Sequence, residues 1–121
     1  MIDVVIVNWN SSEYLQKCIQ SIFSTDNKNF IEKLFIIDNN SADLSLQQIK
    51  LNDKIAIIRN EENRGFAKAC NQGFKLSTAN YVLLLNPDTQ LLNNTLQDCI
   101  TFMNKTNNVD ILGCQRLNDD G

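Results

Sequence analysis

Four short apolar runs recur along the chain, and none of them contains an internal polar residue. They occupy residues 4–7, 34–37, 55–58 and 81–85. Strands without polar alternation are buried on both faces, as in a parallel sheet that is covered by helices. Segments with helical periodicity separate the runs, and strands that alternate with helices imply right-handed βαβ crossovers. The pattern therefore predicts an α/β fold with an open, mostly parallel sheet flanked by helices.

Three segments between the runs have apolar residues at helical spacing. Asn10 followed by Glu13 resembles a capping box at the start of the first helix. A weakly patterned helical stretch is expected at 46–51, and a short fifth strand is expected at 109–112. The predicted apolar helix faces consist of Leu15, Cys18, Ile19, Ile22 and Phe23; of Phe66, Ala67, Cys70, Phe74 and Ser77; and of Leu92, Leu96, Cys99, Ile100 and Met103.

Length and charge exclude several classes of protein. A chain of 121 residues fits one domain, 1–121, and leaves little room for two. Its net charge of -3 comes from 11 basic and 14 acidic residues that are scattered along the chain. Since no basic cluster is present, we expect neither nucleic acid nor an anionic membrane surface as a partner.

The cysteines bear on compartment and chemistry. Four are present without a CxxC pair, and there is no histidine, which argues against a zinc site and against histidine-based catalysis. Three of the four fall on predicted apolar faces, so we expect reduced core residues in a cytoplasmic protein. No apolar stretch approaches the length of a membrane span, and the strand-like start leaves no place for a signal peptide.

Polar residues follow each of the first four predicted strands. In an open parallel sheet the carboxyl ends of the strands line one edge, and ligands bind in the crevice there. The alternative is that these side chains cap helices and turns. The residues concerned are Asn8 and Asn10; Asp38, Asn39 and Asn40; Arg59 and Asn60; and Asn86 and Asp88.

The absence of two phosphate-binding motifs narrows the class of ligand. The chain contains neither GxGxxG nor GxxxxGK[ST], so neither a dinucleotide fold nor a P-loop is supported. Asp88 follows Asn86 and Pro87 on a turn, and Mg²⁺ usually takes one or two carboxylates together with substrate phosphates. The same residues also suit an ordinary turn before a helix.

Four segments taken in order resemble the family-2 glycosyltransferases, especially their rhamnosyltransferase-like members. They are residues 5–10 (VIVNWN), 36–43 (IIDNNSAD), 60–67 (NEENRGFA) continuing to 71–73 (NQG), and 83–89 (LLLNPDT). The ordered set covers nearly the whole chain and is much more specific than any single segment. The resemblance implies a GT-A fold, of which residues 1–121 form the N-terminal, nucleotide-sugar-binding part.

The resemblance also implies a reaction. A family member of this kind performs an inverting transfer of a sugar from a dTDP- or UDP-linked donor to a saccharide or lipid-linked saccharide acceptor in cell-surface polysaccharide synthesis. Mg²⁺ or Mn²⁺ is the implied cofactor. In the full-length protein we expect a cytoplasmic location, with peripheral association at the inner face of the membrane.

Roles carry over to the first two strand ends. Asn8 and Asn10 match part of the wall that holds the base. Asp38 is similar to the acid that accepts a hydrogen bond from the pyrimidine ring N–H, a task that suits a carboxylate because it only accepts when ionised. Asn40 or Asp43 is expected near the ribose.

The later segments supply the phosphate and metal positions. Asp88 matches the last acid of the family's DxD-type motif, which binds the metal. Asn86 stands where the first acid usually is, so one carboxylate reaches the metal region instead of two. Residues that match the segment beside the nucleotide are Arg64, Gly65, Ala67 and Asn71, with Gly65 giving close backbone approach and Arg64 available to a diphosphate oxygen.

The catalytic base implied by the family is a carboxylate that lies beyond Gly121, and no acid here aligns with it. An Asp-Gly turn signal at 120–121 normally joins two strands. We therefore expect a truncated, catalytically inactive part that self-associates through its exposed apolar face. Two alternatives remain: a non-catalytic nucleotide-sugar-binding or interaction module, and a DxDxT-type phosphotransfer enzyme, in which Asn86 could not serve as the nucleophile.

Overall fold

The computed structural model describes residues 1–24 and 26–118. Strands and helices alternate for most of this length, with a single 3₁₀ turn at Lys28–Phe30. The elements in chain order are β1 (Ile2–Asn8), α1 (Tyr14–Ile22), β2 (Ile31–Asp38), β3 (Ile55–Arg59), α2 (Phe66–Leu76), β4 (Tyr81–Leu84) and α3 (Thr95–Lys105).

The four described strands form one parallel sheet in the order β3-β2-β1-β4. β1 lies at the centre of this order, and all seven of its residues are buried. The chain moves from β1 outward to β2 and β3, and then returns to place β4 on the other side of β1. The predicted α/β class and parallel sheet are confirmed, and the reversal of strand order puts a topological switch point between β1 and β4.

One face of the sheet packs against α1 and α3. Alternate residues of β1 and β2, such as Val4 and Leu34, meet the apolar face of α1 because successive side chains of a strand point to opposite sides. The predicted α1 face is largely confirmed, since Leu15, Cys18, Ile19 and Ile22 are buried. In α3, Leu96 is the buried residue, and Leu92 lies before the helix and is exposed.

The opposite face packs against α2 and corrects a prediction. Phe66 and Phe74 are 54% and 42% exposed, and Ala67 is exposed too, so the predicted apolar face of α2 is wrong except at Cys70. The buried residues are the small ones, Ala69, Cys70 and Gly73. Small side chains let the helix backbone approach the sheet closely, whereas the phenylalanines would hold it away.

Two further predictions are wrong. Residues 46–48 form turns and 49–51 are irregular, so no helix forms here. Gln47 N–H donates to Leu44 O at 3.1 Å, three residues back, and Lys50 N–H donates to the Gln16 side chain at 3.3 Å instead of to a helical carbonyl. Residues 109–112 form no strand; Ile111 is 90% exposed and no described strand pairs with it. The predicted Asp-Gly turn at 120–121 lies outside the described residues. None of the described helices combines the length and apolarity that a membrane crossing requires.

Candidate functional site

The carboxyl ends of β1, β2 and β4 meet at one edge of the sheet, hereafter the carboxyl edge. Hydrogen bonding continues past the strands here: Asn39 N–H donates to Asn8 O at 2.9 Å, and Leu85 N–H donates to Val5 O at 3.0 Å. Asn60 N–H likewise donates to Asp38 O at 2.8 Å. The loops that follow the strands therefore leave the sheet from fixed backbone positions.

A buried amide and a buried carboxylate pair across the ends of β1 and β2. Asn8 is fully buried and Asp38 is 3% exposed. Asn8 Nδ2 donates to Asp38 Oδ1 at 2.9 Å and to Ser45 Oγ at 3.0 Å, and Ser11 Oγ donates to Asn8 Oδ1. Both functional atoms of Asn8 are thus used inside the protein, and this side chain fixes the edge rather than contacting a ligand.

Asp38 is held by the residue three positions later. Ser41 Oγ donates to Asp38 Oδ1 at 2.7 Å, and Ser41 N–H donates to Oδ2 at 3.0 Å. A carboxylate has about four acceptor sites, so Oδ2 keeps a free lone pair in this arrangement. The structure places Asp38 at the predicted edge but beneath Ser41, rather than open to the surface.

The loops after β1 and β2 are joined by side chain to backbone hydrogen bonds. Asn10 Oδ1 accepts from Ala42 N–H at 2.8 Å and from Asp43 N–H at 3.3 Å. In the reverse direction, Asp43 Oδ2 accepts from Ser12 N–H at 2.9 Å. Asn10 therefore does not cap α1 as predicted: the helix begins at Tyr14, and its N-cap residue makes no side-chain capping bond.

Backbone strain collects in these two loops. Asn10, Ser12 and Asn40 have φ angles of 49°, 52° and 63°, in the left-handed region that L residues rarely adopt. Hydrogen bonds from the Ser45 hydroxyl and from backbone N–H groups lower the pKa of Asp43, so the carboxylate that joins the loops is ionised at neutral pH. Asn40 itself is exposed at the edge.

Trp9 stands out between the two anchored asparagines. Its side chain is 56% exposed although Asn8 before it is buried. An exposed indole at the mouth of a strand-end crevice is a flat surface on which a ligand ring can stack. Trp9 lies in the first of the four resembling segments, but no role was predicted for it from the sequence. Its position directly after the first strand was the signal that could have indicated one.

A second network lies on the α2 side of the carboxyl edge. Asn39 Nδ2 donates to Gly65 O at 3.2 Å, and Asn39 Oδ1 accepts from Arg64 N–H at 3.3 Å and from Asn60 Nδ2 at 3.0 Å. Asn60 and Gln72 exchange two hydrogen bonds, each of 2.8 Å. The segment before α2 is therefore attached to the end of β2 by three buried or half-buried amides.

Gly65 lies at the N-cap of α2 with φ 83° and ψ 167°, a conformation open to glycine. Arg64, directly before it, has an exposed side chain. Ala67 is exposed in the first turn of α2, and Asn71 is exposed about 6 Å further along the helix axis. The structure thus brings Arg64, Gly65 and Ala67 to the edge and leaves Asn71 behind it.

The turn after β4 sits on α1. Thr89 N–H and Oγ1 donate to Asn86 O at 3.2 and 2.7 Å, and Cys18 Sγ donates to the same oxygen at 3.7 Å. Burial, together with a smaller effect from the charge of Asp88, raises the pKa of Cys18 to about 12. Asn86 and Asp88 are exposed, so the turn presents both side chains to solvent at the edge.

The donor set fits a divalent cation that arrives with a phosphate ligand. Among residues 1–24 and 26–118, no three His, Cys, Asp or Glu side chains are grouped to hold a metal by themselves. Asp88 offers one exposed carboxylate, and Mg²⁺ is commonly held by one or two carboxylates while keeping waters and substrate phosphates. Asp88 could contribute to such a site, and phosphates would complete it.

Several residues of this edge were not anticipated from the sequence. They are Trp9, Ser11, Ser41, Ser45 and Gln72, which expose a ring or complete the two networks. The spacing of Ser41 three positions after Asp38 is an available signal, because an aspartate often accepts hydrogen bonds from the turn that follows it. Gln72 carried no comparable signal.

Comparison with known proteins assigns the family. Residues 3–121 match the family described as "Glycosyl transferase family 2". An uncharacterized glycosyltransferase of Haemophilus influenzae is 24% identical over 117 residues, which cover 93% of this chain and 36% of that protein. Poly-beta-1,6-N-acetyl-D-glucosamine synthase of Staphylococcus aureus strain COL is 29% identical over 91 residues, covering 73% of this chain and 22% of the synthase.

Solved structures agree on the fold. The crystal structure of S. aureus TarS 1-349 in complex with UDP-GlcNAc superposes with a TM-score of 0.73 at 20% identity, covering 93% of this chain and 37% of that one. The strand order, the carboxyl-edge site and the sequence match define a GT-A α/β domain. The chain belongs to glycosyl transferase family 2, and it spans about a third of the length of the H. influenzae relative.

Proposed function

We propose that this chain forms the donor-nucleotide site of an inverting glycosyltransferase. The sugar would pass from a UDP- or dTDP-linked donor to a saccharide or lipid-linked saccharide in cell-surface polysaccharide synthesis. The observation that carries the proposal is the carboxyl edge itself: Asp38 ends β2 and Asp88 lies on the turn after β4, so the two acids flank β1 beside the β1/β4 switch point. Open α/β sheets bind their ligands at this position.

The pyrimidine end of the donor is assigned to the loops after β1 and β2. Trp9 offers an exposed stacking surface, and we assign the ring N–H of the base to Asp38, whose Oδ2 keeps a lone pair beneath the half-buried Ser41. Asn8 and Asn10 then contribute by shaping this wall, because their amide oxygens are already taken by the protein. Asn40 remains the candidate for the ribose, since it is exposed on the same loop.

The diphosphate is assigned to the space between the start of α2 and the turn after β4. Arg64 supplies a cation, and Gly65 lets a ligand approach the helix start without meeting a side chain. The first turn of α2 contains no acidic residue that would repel phosphate. Asp88, with Asn86 beside it, would hold Mg²⁺ or Mn²⁺, which neutralises diphosphate charge when it is bound.

The comparisons support a UDP-linked donor, since TarS was solved with UDP-GlcNAc at the same fold. The rhamnosyltransferase-like branch, with its dTDP-linked sugar, stays a prediction from the sequence. We assign the general base and the acceptor site to residues outside this chain, because relatives extend well beyond the matched third. By itself the chain is then expected to bind donor without transferring sugar.

Location and association complete the proposal. We place the protein in the cytoplasm, with peripheral membrane association in the full-length protein. β4 lies at one edge of the described sheet. Its Val82 and Leu84 side chains are on the same face of the sheet as α2, but the helix does not cover them and they are exposed. Unpaired apolar edges favour association, so we expect the isolated chain to form homo-oligomers that light scattering detects.

Calorimetric titration with UDP and dTDP, each with and without Mn²⁺, tests the function. Wild-type chain should bind UDP more tightly with Mn²⁺, and Asp88→Asn should abolish that gain while leaving metal-free binding in place. Asp110→Asn is the matched control, since Asp110 is also an exposed acid and lies away from the edge. Absence of nucleotide binding, or equal effects of the two substitutions, would refute the assignment.

A further inference from the structure

The mutual bonding of the two edge loops has a consequence for Trp9. Asn10 Oδ1 accepts two backbone N–H groups of the second loop, and Asn10 N–H donates to Ser41 Oγ at 3.0 Å. Asp43 Oδ2 accepts a hydrogen bond from Ser12 N–H at 2.9 Å. Asn10 and Asp43 are hereafter the clasp. Each holds the backbone of the other's loop, so neither loop can move without breaking bonds in both.

The clasp encloses the residue that is free to contact a ligand. Trp9 is preceded by Asn8, which is buried and bonded through both amide atoms, and followed by Asn10. The indole itself is exposed, so packing of its own side chain holds it weakly. The backbone therefore sets the direction in which the Cα–Cβ bond of Trp9 leaves the loop, and the clasp keeps that backbone in a left-handed conformation at Asn10 and at Ser12.

We propose that Asn10 and Asp43 are positioning residues that present Trp9 to the nucleotide base and touch no part of the donor themselves. This proposal rests on the proposed function for the identity of the ligand, and on the hydrogen bonds above for the clasp. An exposed ring that is already oriented loses less rotational freedom on binding than a mobile one. The clasp therefore converts two strained loops into a preorganised stacking surface.

Variants can separate the acceptor of Asn10 from its backbone conformation. Asn10→Gly keeps access to φ 49° and removes the acceptor, whereas Asp43→Ala removes the acceptor for Ser12 N–H. Asp43→Asn keeps one side-chain oxygen for Ser12 N–H and gives up the oxygen that accepts from Ser45, so it is the conservative variant for the bond between the two loops. Asn108→Gly is the matched control, because Asn108 also has a positive φ, of 64°, and lies in an exposed turn after α3.

Time-resolved fluorescence anisotropy of the single tryptophan reads the clasp without any ligand. Asn10→Gly and Asp43→Ala should add a fast local motion to Trp9, and Asp43→Asn and Asn108→Gly should not. The affinity for UDP should fall about three- to tenfold in the first two variants. A Trp9 signal unchanged in both would overturn the clasp. If wild type shows the expected anisotropy but no UDP binding, the donor assignment fails and the clasp stands.

A separate observation concerns two cysteines. The Sγ atoms of Cys99 and Cys114 lie 3.4 Å apart, in contact but not bonded. Cys99 is half-buried on α3, and Cys114 is exposed in the irregular segment that follows, so the prediction of core thiols is confirmed for Cys18 and Cys70 and is wrong for Cys114. Gly113, next to Cys114, has no neighbour within 4 Å of an added Cβ, which leaves room for the small approach that an S–S bond of about 2.05 Å requires.

We infer that Cys99 and Cys114 form a dithiol site that small-molecule disulfides oxidise. The exposed Cys114 thiolate attacks glutathione disulfide and releases one glutathione. Cys99 sulfur then attacks Cys114 sulfur, forming the protein disulfide and releasing the second glutathione, while the two thiol protons pass to the released thiolates. Burial raises the pKa of Cys99 to about 11, which agrees with Cys114 reacting first.

Mass spectrometry of the whole protein after treatment with glutathione disulfide tests this site. Wild type should become lighter by two hydrogen atoms and retain no glutathione, and Cys99→Ser should retain one glutathione on Cys114. Cys114→Ser should resist the reagent, since Cys18 and Cys70 are buried and burial raises the pKa of the half-buried Cys99 to about 11. Wild type that retains glutathione, or that forms disulfide-linked dimers in place of the internal bond, would overturn the inference.

Discussion

Replacing Gly73 with alanine probes the contact that seats α2 on the sheet. A Cβ at this position would lie 2.4 Å from Cγ1 and 2.9 Å from Cγ2 of Val5. Neither partner can easily yield, because Val5 is fully buried in the central strand and Gly73 is buried in the middle of α2. The helix would have to move away from the sheet, and Gly65 and Arg64 at its start would move with it.

The expected cost follows from two opposing effects. Overpacking of a well-packed core costs about 1–3 kcal/mol, whereas alanine favours a helix over glycine by up to about 1 kcal/mol. We therefore expect Gly73→Ala to lower the free energy of unfolding by about 1–2 kcal/mol. Val5→Ala removes both methyl groups from the clash, so the double variant should be more stable than the sum of the single effects by about 1 kcal/mol or more.

Urea unfolding of the four proteins measures both quantities. The double-mutant cycle measures the interaction energy of residues 5 and 73, because the four proteins differ only at these two contacting positions. If Gly73→Ala is as stable as wild type, or if the two substitutions are additive, α2 does not sit on Val5 at the described distance and the packing argument fails.

Three other perturbations have outcomes that the structure fixes. Because burial raises the pKa of Cys18 from 9.0 to about 12, the unfolded chain loses this proton first. The stability that comes from keeping Cys18 protonated is present below pH 9 and is lost towards pH 12. The unfolding free energy of wild type should therefore fall relative to that of Cys18→Ala by up to about 1.4 kcal/mol per pH unit. If urea unfolding finds the same difference between the two proteins at every pH, this expectation is contradicted. Asp3→Ala removes the buried acceptor of Ser77 Oγ, Thr78 N–H and Ala79 N–H. It should lower the free energy of unfolding by about 2–3 kcal/mol and speed proteolysis between α2 and β4. Unchanged proteolysis would show that Asp3 does not hold this connection. Asn60→Ala removes three side-chain hydrogen bonds, one to Asn39 and two with Gln72. It should cost about 1–3 kcal/mol and speed hydrogen exchange of the Arg64 amide. Unaltered exchange would show that the amide network does not hold this loop.

β1 and β2 were predictable because burial on two faces leaves a mark that depends on sequence alone, whereas the equally apolar β4 exposes Val82 and Leu84 on one face. Runs without polar residues identified the parallel sheet and its central position in the fold. The face of α2 was not predictable in the same way. Ranking residues by hydrophobicity favoured Phe66 and Phe74, whereas close approach to the sheet selected Ala69 and Gly73. That selection depends on the distance between helix and sheet, which no periodicity reports.

The site was predictable by position and less so by contact. Asp38, Asn8 and Asp88 were placed at the carboxyl edge from the ends of their strands, and they lie there. That Asp38 is covered by Ser41 depends on a turn with a left-handed residue at Asn40, and loop conformation of this kind is set by many weak side chain to backbone bonds.

Backbone amide NMR of the chain with UDP and Mn²⁺ tests the central claim most directly. We expect UDP to shift the amide resonances of residues 9–12 and 39–43. We expect UDP-bound Mn²⁺ to broaden the resonances around Asp88 most strongly. Shifts confined to the opposite edge of the sheet would contradict it, for example at the cavity of about 330 Å³ lined by Phe23, Lys28, Asn29, Asn52, Asp53 and Lys54. So would UDP binding with no manganese effect at the turn after β4.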